Sequence, residues 1–97
     1  MRFDIILAPE ALEDLARLKA TSRAAVKAAL EAHLRHQPGK TSRSRIKRLR
    51  GLSRPQYRLR VGDIRVFYDV IDGTVEVLAI IPKVETSAWL NQFGKPR

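Results

Sequence analysis

The chain contains no cysteine, which excludes disulfides and thiolate metal sites alike. It has no apolar run near the roughly 20 residues needed to span a bilayer, and no internal repeat. Its opening stretch, MRFDIILAPEALEDL, carries Asp4 and Glu10 in and around the apolar residues, which is wrong for a secretory signal. A catalytic pair of carboxylates, a glycine-rich phosphate loop and metal-ligand spacing are also missing. Asp69 and Asp72 read as strand-edge and turn residues rather than magnesium ligands. These absences point to a soluble cytoplasmic protein with no metal, no cofactor and no membrane partner. At 97 residues the chain is expected to form one domain, 1–97, with a modest core and thin stability, to which a tightly bound partner would matter.

What is present in excess is positive charge, and its location is informative. Residues 40–65 hold ten bases (Lys40, Arg43, Arg45, Lys47, Arg48, Arg50, Arg54, Arg58, Arg60 and Arg65) against the single acid Asp63, a net +9. The rest of the chain has nine bases and nine acids, so all the excess lies in this one segment. Eight of the ten bases are arginine, which suits bidentate contact with phosphate better than a merely solvated surface. The bases do not fall on an amphipathic helix with bulky apolar anchors, so a membrane surface is the poorer match. The segment reads as a footprint for a polyanion, and RNA is the expected one.

Hydrophobic periodicity predicts the frame. Residues 2–7 read as a short first strand. Pro9 then suits the first turn of a helix, with Ala11, Leu12, Leu15 and Leu18 as its apolar stripe. A second helix is expected from a Thr21 or Ser22 cap to about Arg35, burying Ala25, Val26, Ala29, Leu30 and Leu34. So short a link makes the two helices antiparallel neighbours, and Pro38-Gly39 ends the pair. The period then changes to two. Tyr57, Leu59 and Val61 alternate with Arg58 and Arg60; Gly62-Asp63 turns the chain; Ile64, Val66, Tyr68 and Val70 alternate with Arg65, Phe67, Asp69 and Ile71. Asp72-Gly73 is a hairpin signal, followed by a strand from Val75 to Ile81. Residues 84–93 suit a short closing helix anchored by Trp89, Leu90 and Phe93.

The fold class expected is α+β: a small antiparallel sheet, made of the N-terminal strand and a C-terminal three-strand meander, with a helical hairpin on one face and a short C-terminal helix. The helices are expected to gather on one side. Arg58, Arg60 and Arg65 must then share the other face, by period-two geometry. Replacing Arg60 or Arg65 should leave the fold intact, since both alternate away from the helices.

The run from Leu49-Arg50-Gly51 through YRLRVGDIRVFYDV (Tyr57 to Val70) resembles toxins of the RelE/ParE superfamily from bacterial type II toxin–antitoxin systems. The resemblance covers the element order of nearly the whole chain. It implies a toxin that cleaves messenger RNA in the ribosomal A site, inhibits translation and is restrained by a cognate antitoxin, with ribosomal RNA as a further contact. Active members carry bases at the positions of Arg58, Arg60 and Arg65, and a base or histidine near the end of the last strand, where this chain has Lys83. They often have a tyrosine in the following segment, where Trp89 or Leu90 stands here. The alternative is a non-nucleolytic member, similar to the ParE-like branch that inhibits DNA gyrase, or a catalytically weakened RNA-binding one.

Metal-independent RNA cleavage uses the substrate's own 2′-hydroxyl as nucleophile. It requires a proton acceptor, a proton donor and positive charge on the pentavalent phosphate. Arginine supplies the charge but is a poor base, since its pKa above about 12 leaves almost none neutral. The catalytic candidates are therefore Arg58, Arg60 and Arg65 for charge and Lys83 for the proton. Tyr57 and Tyr68 are possible proton carriers that serve equally well as packing residues. Lys47, Arg48, Arg50 and Arg54 are RNA-binding candidates. His33 and His36, three apart at the end of the second helix, read as surface residues placed by the helix dipole.

Overall fold

In the computed structural model, which describes residues 1–97, period-two alternation sets the centre of the molecule. The strands β4 (Tyr57–Val61), β5 (Ile64–Ile71) and β6 (Thr74–Pro82) form the expected antiparallel meander. Two-residue turns join them, with Gly62 at φ 58° and Asp72 at φ 54°, a left-handed backbone that glycine adopts freely and aspartate tolerates. Shorter strands extend the sheet to the order β1-β6-β5-β4-β2. β1 (Asp4–Leu7) runs parallel to β6, and β2 (Ile46–Arg48) antiparallel to β4. The sheet is thus mixed rather than wholly antiparallel. Two helices and most of the meander separate β1 from β6 in sequence, ample length for a parallel pairing. A two-stranded ribbon joins β3 (Leu52–Arg54) to β7 (Lys95–Pro96).

The helical hairpin, α1 (Pro9–Arg17) and α2 (Ala20–Leu34), covers one face of the sheet. Ala11 and Leu15 of α1 and Val26, Leu30 and Leu34 of α2 pack with Leu59, Val66, Tyr68, Val75, Val77 and Ile80. Leu12 and Ala25, expected in these stripes, are exposed instead. Thr21 and Ser22 lie inside α2, whose cap position is Lys19 and carries no side-chain capping bond. The tight link is held from the other side: Arg23 donates from Nη1 to the carbonyl of Leu18 at 2.6 Å, placing a cation on the spent end of α1.

β6 changes phase within its own length. Phe67 pairs with Ala79 while Tyr68 pairs with Val77, so Leu78 is an extra residue, a β-bulge. Before it, Val75 and Val77 face the hairpin; after it, Ile80 does. Ala79 and Ile81 turn to the opposite face, joining Phe67. Where the ladder slips, Asp14 Oδ2 accepts the Ile80 N–H at 3.0 Å, so α1 satisfies a backbone donor that the bulge leaves over.

The third helix, α3 (Thr86–Phe93), is reached through a single 3₁₀ turn (Lys83–Glu85). It lies on the face opposite the hairpin, not gathered with it. The cause is the apolar strip of Phe67, Ala79 and Ile81, which needs cover; Trp89 and Leu90 supply it. Trp89 stacks on Phe67 with ring centroids 5.1 Å apart. No helix is long and apolar enough to cross a membrane.

Candidate nucleic-acid interface

The strand register places the basic residues. On the face away from the hairpin, Lys47 of β2 pairs with Arg58 of β4, which pairs with Phe67 of β5. One step further along, Arg60 pairs with Arg65, which pairs with Ile81. Lys47, Arg58, Arg60 and Arg65 therefore share one end of this face, as alternation requires. Lys83 joins that end through its backbone, donating to the Asp63 carbonyl in the β4–β5 turn at 2.7 Å; its side chain is exposed.

The three arginines differ in kind. Arg60 is exposed. Arg65 is only 6% exposed, and its Nη1 donates to the carbonyls of Gly62 at 2.8 Å and Ile64 at 3.1 Å. It braces the β4–β5 turn, so the expectation that its removal leaves the fold untouched is corrected. Arg58 is half-buried, and its Nε is a buried donor with no partner. Burial lowers the Arg58 pKa, and Arg65 and Arg60 beside it lower it further. A guanidinium in that setting has the chemistry to take an anion that brings both charge and acceptors.

The remaining candidates scatter. Arg54 forms ion pairs with Asp69 at 3.4 Å and Glu76 at 3.1 Å; it is the one base of residues 40–65 with a carboxylate partner, and it ties the ribbon to the sheet. Arg48 lies on the hairpin side, its guanidinium 5.0 Å above the Tyr57 ring, and Arg50 is exposed in the turn after β2. Tyr57 and Tyr68 pack against the hairpin core, on the face opposite Arg58. Their rings stack at 5.4 Å, and the Tyr68 hydroxyl donates to the Pro38 carbonyl at 2.6 Å. Burial, then the neighbouring Tyr57, raises the Tyr68 pKa. Neither tyrosine reaches the arginine end, so the packing role is the one the structure gives them.

One residue escaped the candidates. Arg45 lies before β2, and its carbonyl accepts the Arg60 N–H at 2.9 Å, which brings it to the edge of the arginine face. The period-two spacing of Arg43, Arg45 and Lys47 is the signal that marks it. Chemically, this end of the sheet offers fixed positive charge to a phosphodiester and two proton-bearing amines, Lys47 and Lys83. The histidines lie at the end of α2, where His33 Nε2 is 2.8 Å from Arg45 Nη1.

Comparison with known proteins bears on the fold. A family model described as the ParE toxin of type II toxin–antitoxin systems, parDE, matches residues 5–85. Among solved structures, a free-state arginine-to-alanine mutant of the E. coli toxin RelE is 26% identical, with a TM-score of 0.72 over 94% of this chain and 93% of that one. The archaeal RelE–RelB complex from Pyrococcus horikoshii OT3 is 22% identical, with a TM-score of 0.70 over 86% of this chain and 97% of its own. The RelBE2 toxin–antitoxin complex from Mycobacterium tuberculosis is 24% identical, with a TM-score of 0.65 over 84% and 99%. No curated protein matches the chain.

Proposed function

The chain belongs to the ParE toxins of type II toxin–antitoxin systems, within the RelE/ParE superfamily, and from that premise we propose that its target is RNA, cleaved as messenger RNA on the ribosome. The observation that carries this reading is Arg58: a half-buried guanidinium with an unpartnered Nε, flanked by Arg60 and Arg65. Such a group is preorganised for a phosphate whose charge grows in the transition state. Arg60 and Lys47 hold the flanking backbone, and Arg65 keeps the turn in place. Lys83 exchanges the proton between the 2′-hydroxyl and the leaving 5′-oxygen.

A cognate antitoxin, working in the same cytoplasm, covers the arginine end and shields its charge. The RelE–RelB and RelBE2 complexes, in which toxins of this fold sit with an antitoxin, support that partner.

The test is to map 5′ ends of cellular RNA after a short induction, with wild type and Lys83→Arg side by side. New ends within coding sequence, lost in the variant, fit the full mechanism, because arginine keeps the charge but releases no proton. Cleavage that persists in the variant removes Lys83 and leaves the arginines acting by charge alone. One observation favours a second reading, a non-nucleolytic toxin of the gyrase-inhibiting kind: with both tyrosines on the far side of the strand, lysine amines are the proton carriers left at this end. DNA breaks with an SOS-type response and no new RNA ends would select it.

A further inference from the structure

Arg45 lines two clefts at once. One lies on the hairpin side, at the end of α2, and is bordered by His33, His36, Lys40, Thr41, Ser42 and Arg45. The other opens at the β2 edge between Ser44, Arg45, Arg60 and Gly62. The first has a volume of about 420 Å³, room for a phosphate group with its sugar. No carboxylate lines either cleft. A third cleft, between α1 and α3, differs in chemistry, with Glu10, Glu13 and Asp14 on its wall.

We propose that the His33–Lys40–Arg45 cleft is a second phosphate-binding site, which takes the sugar–phosphate backbone of an RNA strand as it passes from the arginine end around the β2 edge. This rests on the reading that RNA phosphate is the ligand of the arginine end. Three features support it. Arg45 is fixed in place, since its Nη1 lies 2.8 Å from His33 Nε2; a guanidinium only donates, so His33 accepts as the neutral imidazole. Its remaining N–H groups are free for an anion. The hydroxyl of Ser42 accepts the Arg45 N–H at 3.0 Å and the Ile46 N–H at 3.3 Å, which fixes the loop that carries the site. Finally, Arg45 belongs to both clefts, so positive charge runs without a break from Arg60 to Lys40.

The experiment uses the full chain and two probes. Inorganic phosphate is titrated against the Arg58→Ala protein while the Arg45 amide and the His33 ring are followed by NMR. Single-stranded RNA is then bound to wild type, to Arg58→Ala and to the double variant Lys40→Ala/Arg45→Ala across a range of salt. Both sites of the double variant are exposed in the fold, and a thermal melt checks that it folds. The expected results are His33 and Arg45 shifts with both probes, and a salt slope shallower by about 1.4 in the double variant, the loss of two single-strand phosphate contacts. An unchanged slope and affinity in the double variant, with wild type binding normally, overturns the second site. Shifts with inorganic phosphate but none with RNA overturn it equally, leaving a small-anion site. If wild type itself binds no RNA, the reading of the arginine end fails first, a result distinguishable from either.

Discussion

The two faces of the central sheet are built from alternate residues of the same strands, yet they are unlike. Toward the hairpin, Leu59, Val66, Tyr68 and Val77 are fully buried, and the Tyr68 hydroxyl has its acceptor. On the other side, half of the face is apolar under Trp89 and Leu90, and the other half holds Arg58 with a donor unmet. One face is closed by the hairpin, while the other keeps a buried guanidinium donor without a partner. Along β4 buried and less buried side chains alternate, so neighbouring residues of this strand should respond to mutation in opposite ways.

The sharpest break of that comparison is Leu59 against Arg60. Leu59→Ala should cost about 2–5 kcal/mol through the cavity it leaves, while Arg60→Ala should stay within about 0.5 kcal/mol, both read from urea midpoints. Equal costs would mean that Arg60 carries the fold as Leu59 does.

Next comes Arg58→Ala. RNA cleavage should fall by about 10²–10³-fold, the usual effect of losing a group that stabilises transition-state charge. The melting temperature should hold or rise, because the variant removes a desolvated cation from beside two others. A cleavage loss accompanied by a large drop in melting temperature would make Arg58 a structural residue.

Arg65 sharpens the comparison from within the arginine face. Losing its bonds to the Gly62 and Ile64 carbonyls should cost about 1.5–3 kcal/mol in Arg65→Ala, against almost nothing for Arg60→Ala. If the two variants denature alike, Arg65 does not brace the turn.

The smallest expected effect is a pH dependence at the sheet edge. Burial, and then Arg45, lowers the His33 pKa below its ordinary 6.5, so the unfolded chain takes up the proton more readily than the folded one. The stability contribution is complete above that value and declines as pH falls through it. His33→Gln should flatten this part of the melting curve measured between pH 7.5 and about pH 5. A slope that survives the substitution would assign it to other groups.

Much of this was readable in the chain because alternation is a strong signal. The meander, the hairpin and the common face of Arg58, Arg60 and Arg65 all follow from periodicity. The parallel placement of β1 did not, since a four-residue strand carries no mark of a partner that lies some 70 residues away. The run VLAII is apolar throughout, so the phase change at Leu78 leaves no trace in hydropathy. It decides which side Ala79 and Ile81 occupy, and hence why α3 has an apolar strip to cover. Burial of Arg65 and the pairing of Arg54 were also hidden, because composition counts a charge without showing which carbonyl or carboxylate will meet it.

The bond from Asp14 to the Ile80 amide carries a genetic consequence. A largely buried acid on the first helix holds the phase of β6, and Ile81, next after Ile80, is the register partner of Arg65. A selection for cells that survive the toxin should therefore return substitutions at Asp14, a residue away from the arginine face. Such survivors would keep every arginine of that face and lose only the alignment between β6 and β5. An inherited loss of toxicity can thus sit on the hairpin side of the sheet, where inspection of the basic residues alone would declare the protein intact.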